Sequence, residues 1–82
     1  MKKKFIFVVF DRDAGEIYAR SVTMSKAALE YYSPDEVAKI IGKGNSVMMF
    51  PSDMYNGPIH ENISFDVKIV GDHAATMITK ED

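Results

Sequence analysis

The side chains able to do chemistry in this 82-residue chain are few. His60 and His73 are its two histidines, and each sits beside a carboxylate, in His60-Glu61 and Asp72-His73. Two imidazoles and two carboxylates would suit a zinc ion if the two loops met, but nothing in their spacing requires the meeting. Asp11 and Asp13 stand one residue apart in Asp11-Arg12-Asp13-Ala14-Gly15. Paired carboxylates there would serve as nucleophile and proton shuttle, or as the start of a calcium loop. A calcium loop asks for glycine at its sixth position and glutamate at its twelfth. Counted from Asp11, glycine comes one place early and the twelfth residue is Val22. The chain has no cysteine, hence no thiolate nucleophile, thiolate metal site or disulfide.

The stretch Phe7-Val8-Val9-Phe10-Asp11-Arg12-Asp13-Ala14-Gly15 resembles the nucleophile motif of the haloacid-dehalogenase phosphatases. That resemblance implies attack on phosphorus by the first aspartate and proton handling by the second. It spans about nine residues and departs at Ala14, with no Thr or Ser following. The family also needs a lysine and more acids on a much larger parallel sheet. The local reading is a hairpin turn, and no catalytic residue, metal or cofactor is expected.

Other groups suit recognition. Tyr18 and Arg20 alternate onto one strand face, where they would offer stacking and a phosphate contact. Lys2, Lys3, Lys4, Lys26, Lys39 and Lys43 would supply charge for nucleic acid if they gathered into one patch. Against broad duplex binding stands a net charge of −2, from 10 basic and 12 acidic residues. Met48, Met49 and Met54, with Phe50 and Tyr55, form a soft apolar stretch. Core filling accounts for Met48 or Met49. Met54, Tyr55 and Ile59 fall in a polar loop, where exposed apolar groups mark a docking site for a protein partner, the alternative being a loop packed on itself.

The elements that position these groups follow from patterning. Residues 5–10 are β-branched or aromatic throughout, so the strand is apolar on both faces and belongs in the middle of a sheet. Residues 11–15 turn on Gly15 into a return strand at 16–24. Residues 25–32 read as a short helix or an extended lead-in. Ser33-Pro34-Asp35-Glu36 is a capping box with proline at the first helical position. It opens a helix with a Val37, Ala38, Ile40, Ile41 stripe, ended by Gly42 and Gly44. Strands follow at 46–50, stopped by Pro51, and at 63–70, with Ile63, Phe65, Val67 and Ile69 inward. A last strand runs over 74–79, and 80–82 form a frayed tail. The basic start with an apolar run of about six residues is too short for a secretory or spanning segment.

The order β-β-α-β-β-β implies one α+β domain over residues 1–82: a four- to five-stranded, mostly antiparallel sheet with one principal helix on one face. One helix covers one face, yet the first strand is apolar on two. The second face needs residues 25–32, another copy of the chain, or a partner. The functional expectation is a small, non-enzymatic, cytoplasmic protein, outside any membrane. It would act by protein–protein contact as a homodimer, in an inhibitory or regulatory role of the kind phage and mobile elements use. The alternative is a single-stranded RNA-binding module.

Overall fold

In the computed structural model, which describes residues 1–81, five strands form one sheet with two helices on it. The strands are β1 (Lys3–Asp11), β2 (Glu16–Met24), β3 (Ser46–Pro51), β4 (Glu61–Val70) and β5 (His73–Glu81). The helices are α1 (Lys26–Tyr31) and α2 (Pro34–Gly42). The spatial order is β3-β1-β2-β4-β5. β1 pairs antiparallel with β2 and β3, as does β4 with β5, but β2 and β4 run parallel. The sheet is therefore mixed.

The predicted hairpin forms around Gly15 at φ 66, and Asp11 Oδ1 accepts the Ala14 N–H at 3.1 Å. The Asp-x-Asp sequence thus shapes a turn between antiparallel strands. Ser25 caps α1 by accepting from Ala28 N–H, which resolves residues 25–32 as a helix followed by extended Tyr32. The capping box of α2 is complete: Ser33 Oγ accepts the Glu36 N–H at 3.2 Å, and Glu36 Oε1 accepts the Ser33 N–H at 3.0 Å. Two glycines were expected to end this helix. Instead Lys43 takes the left-handed conformation, φ 49, while Gly42 stays helical and buried. A β-carbon on Gly42 would come within 2.5 Å of Val47 Cγ2, so glycine there sets how closely α2 approaches β3.

The core lies between the helices and the sheet face carrying Phe5, Phe7, Val22, Met24, Ile63, Phe65 and Val67, with Ala28, Val37 and Ile41 from above. Three expectations change. Ile69, expected inward, is exposed, because β2 pairs with β4 only as far as Phe65. Lys80 and Glu81, expected to fray, extend β5 by pairing with Ile63 and Asn62; Asp82 lies outside the described residues. Met48 and Met49 are exposed on the edge strand β3 rather than filling the core.

Candidate functional site

Strand order decides what covers the second face. β3 lies at one edge, and β4 lies beyond β1 and β2. The segment joining β3 to β4 must therefore cross the sheet. The helices occupy one face, since α1 and α2 both feed Ala28, Val37 and Ile41 into the same core. Residues 52–60 cross the other face, where Ile6, Val8, Ala19 and Phe50 point. The second face is thus roofed in part by the chain's own connecting loop. Residues 25–32 lie on the opposite side and do not contribute.

The loop has its own internal lock. Pro51 ends β3 and leads into a single 3₁₀ turn, Ser52–Met54. Tyr55 then turns inward: its ring lies 6.3 Å from Phe50, and its hydroxyl donates to the Pro58 carbonyl at 2.8 Å. The ring passes over Gly57, where a β-carbon would sit 2.6 Å from the Tyr55 hydroxyl oxygen. Beyond Pro58, the His60 N–H donates to the Ala19 carbonyl at 2.8 Å and brings the chain into β4.

Between loop and sheet lies an open cleft of about 340 Å³. Val8, Ile17 and Ala19 form its floor, and Tyr55, Pro58 and Ile59 its wall, with His60 at the rim. Within this lining Ile17 is 69% exposed; Met54, 73% exposed, lies outside the lining. Of the three loop residues singled out in the sequence, Tyr55 is half-buried and builds the wall, Ile59 is half-buried beside it, and Met54 projects into water.

Tyr18 and Arg20 share a face as expected, but it is the helix face, opposite Val9 and Phe7 in the register. Arg20 is engaged within the fold. Its Nε lies 3.3 Å from Glu61 Oε1, its Nη1 donates to the Ile41 carbonyl at 3.4 Å, and its guanidinium stands 5.2 Å from the Tyr18 ring centre. Nε is buried and too poorly aligned for a hydrogen bond, so its link to Glu61 is one of charge. Lys80 Nζ adds a second cation to Glu61 at 3.5 Å. Arg20 therefore ties the last turn of α2 to β4, and Tyr18 packs its ring 5.4 Å from that of His60.

The six lysines do not gather into one patch. Lys3 pairs with Met24, near Lys26, while Lys43 lies close to Ser46, which pairs with Phe10 at the other end of β1. Seven residues of strand, roughly 23 Å, separate the two groups. The two histidines are similarly apart: His60 precedes β4 and His73 lies opposite Val70 at its far end, roughly 30 Å on.

Val8 and Ile17 also line the cleft, and the signal for them in the sequence is their apolar side chains on the second face. Ser25, legible as a helix cap, and Asp66, legible as a water-facing strand residue, also meet, a contact that no local pattern marks. The Ser25 hydroxyl donates to Asp66 Oδ1, which also accepts the Val67 N–H at 2.7 Å. These bonds, the serine's first, hold the Asp66 carboxyl below the ordinary aspartate range; partial burial opposes them and Lys2 assists. Compared with protein-family profiles, curated proteins and solved structures, the chain matches none. No helix among the described residues is long and apolar enough to cross a membrane.

Proposed function

We propose that this chain is a small non-enzymatic binding protein that inhibits or regulates a protein partner, using the cleft beneath the 52–60 loop, and that it works as a homodimer in the cytoplasm. The observation that supports this most is an apolar cleft in which strongly exposed Ile17 stands beside the half-buried wall of Tyr55 and Ile59. Isolated exposed apolar residues are ordinary; a cluster edging a concave apolar surface is the usual mark of a docking site. A short apolar segment of a partner, presenting one or two bulky side chains, fits such a groove. The lack of cysteine is in keeping with a reducing compartment. Small size and plain composition support the likeness to phage and mobile-element accessory proteins of the anti-defence type.

The test compares immobilised wild type with the Ile17→Ser variant on lysate of the host cell. A partner held by wild type and lost by the variant is the expected result, with the far-UV circular dichroism unchanged. A partner held equally by the two proteins would overturn the cleft reading.

A second reading rests on Lys2, Lys3, Lys4 and Lys26, which collect at one end of the sheet where single-stranded RNA would find charge. Arg20 is committed to Glu61, so Tyr18 and Arg20 offer little to a phosphate. RNA retention that falls steeply with salt, and falls again in a Lys3→Glu/Lys4→Glu variant, would favour this reading over the first.

A further inference from the structure

The two edges of the sheet are treated differently by the sequence. β3 is six residues long and closes on Pro51, which cannot donate to an added strand. β5 is nine residues long, and each is exposed. Its pairing with β4 runs from Val70–His73 to Asn62–Glu81 without a bulge, so one row of its backbone N–H and C=O groups faces outward along the whole strand. Edge strands are ordinarily guarded by lysine, proline, a bulge or a covering element. From Ala74 to Thr79 the sequence is Ala-Ala-Thr-Met-Ile-Thr, with none of those guards. Met77 and Ile78 stand 46% and 48% exposed on opposite faces of it.

We propose that β5 is the dimer interface, pairing antiparallel with β5 of a second copy so that the two sheets become one of ten strands. This rests on the homodimer reading above and adds where the copies meet. A two-fold axis normal to the sheet is the operation that joins two like edges antiparallel, and it keeps the helices of both copies on one side. It also sets side chains of the same face opposite each other, so the axis must pass through a residue rather than between two. With the axis at Thr76, Ala74 stands opposite Ile78 on one face and Ala75 opposite Met77 on the other. Asp72 in the adjoining turn stands opposite Lys80. Met77 and Ile78 each meet an alanine, and Asp72 meets Lys80, twice by symmetry. Shifting the axis to Met77 or Ile78 sets that bulky residue against its own copy. Shifting it to Ala75 sets Asp72 against Ile78.

Because the chain has no cysteine, single-cysteine variants report the register cleanly. Light scattering after gel filtration should give twice the chain mass for wild type at high concentration. Thr76→Lys places two like charges together at the axis and should give the chain mass with unchanged circular dichroism. Under mild oxidation Thr76→Cys should crosslink several-fold faster than Ala74→Cys or Ile78→Cys. Fastest crosslinking at another position, or a Thr76→Lys protein that remains folded and dimeric, would overturn the β5 interface while leaving the homodimer reading standing. A monomeric wild type would overturn them together.

Discussion

The Tyr55 ring occupies the space that a side chain on Gly57 would need, and its hydroxyl reaches past that glycine to the Pro58 carbonyl. The loop over the second face is therefore held in shape by one aromatic residue and one missing β-carbon. Gly57→Ala should displace the ring, and with it the cleft wall, while the sheet persists. The tyrosine near-ultraviolet dichroism should change and the far-ultraviolet spectrum should not. Tyr55→Phe removes only the hydrogen bond and should cost about 0.5–1 kcal/mol in chemical denaturation.

Ser33→Ala removes the hydroxyl that accepts the Glu36 N–H but keeps the Ser33 N–H that Glu36 Oε1 accepts. The expected loss is about 1 kcal/mol in urea denaturation. Glu36 is held below the ordinary glutamate range by the Ser33 N–H first and the Ser33 hydroxyl second. A carboxyl with a depressed folded-state value contributes stability above its unfolded-state value and loses it as the pH falls through the folded one. The difference between wild type and Glu36→Gln, which removes the charge, should accordingly shrink in acid, below about pH 4.

Asp66 obeys the same sign. Its bonds from Ser25 and Val67 favour the carboxylate, so their stabilisation is in place at neutral pH and declines as the pH drops below about 3.9, the ordinary aspartate value. Asp66→Asn should be less stable than wild type at pH 7, with melting curves that converge toward pH 3. Equal separation of the curves at both pH values would show that the carboxylate's charge is not what Ser25 stabilises.

Phe65 is fully buried, with the Tyr32 ring edge-on at 5.5 Å. Phe65→Ala should cost about 3–5 kcal/mol. A domain of this length holds roughly 4–12 kcal/mol in all. The variant should therefore lose from about a quarter to all of its stability and melt well below wild type, whereas Ile69→Ala, four residues on along the same strand face, should melt like wild type.

That pair of residues also shows where local pattern stops being informative. Alternation through Ile63, Phe65, Val67 and Ile69 correctly identifies a strand and its inward face. It cannot tell that β2 ends at Met24 and leaves Ile69 without a covering neighbour, because that depends on which strand lies alongside. The α2 start was legible because Ser33 and Glu36 complete their bonds within one turn, with Pro34 at its first position. The cleft was half legible. Met54, Tyr55 and Ile59 stood out as apolar residues in a polar loop, yet the fates of Met54 and Tyr55 diverge through a 3₁₀ turn that no periodicity marks. The roof over the second face was hidden because it follows from strand order, a property of the whole chain.

The parallel join between β2 and β4 has a consequence in time. It is five residue pairs long, and partners such as Ser21 and Asn62 lie 41 residues apart in sequence. The β1–β2 and β4–β5 ribbons need only short turns to close, whereas that seam must wait for a long chain segment to be drawn in. Folding should therefore proceed as two ribbons that form early and fuse late. Asn62→Ala, which removes the bond that Asn62 Oδ1 accepts from the Ser21 hydroxyl across the seam, should then chiefly speed unfolding, with a φ-value near zero.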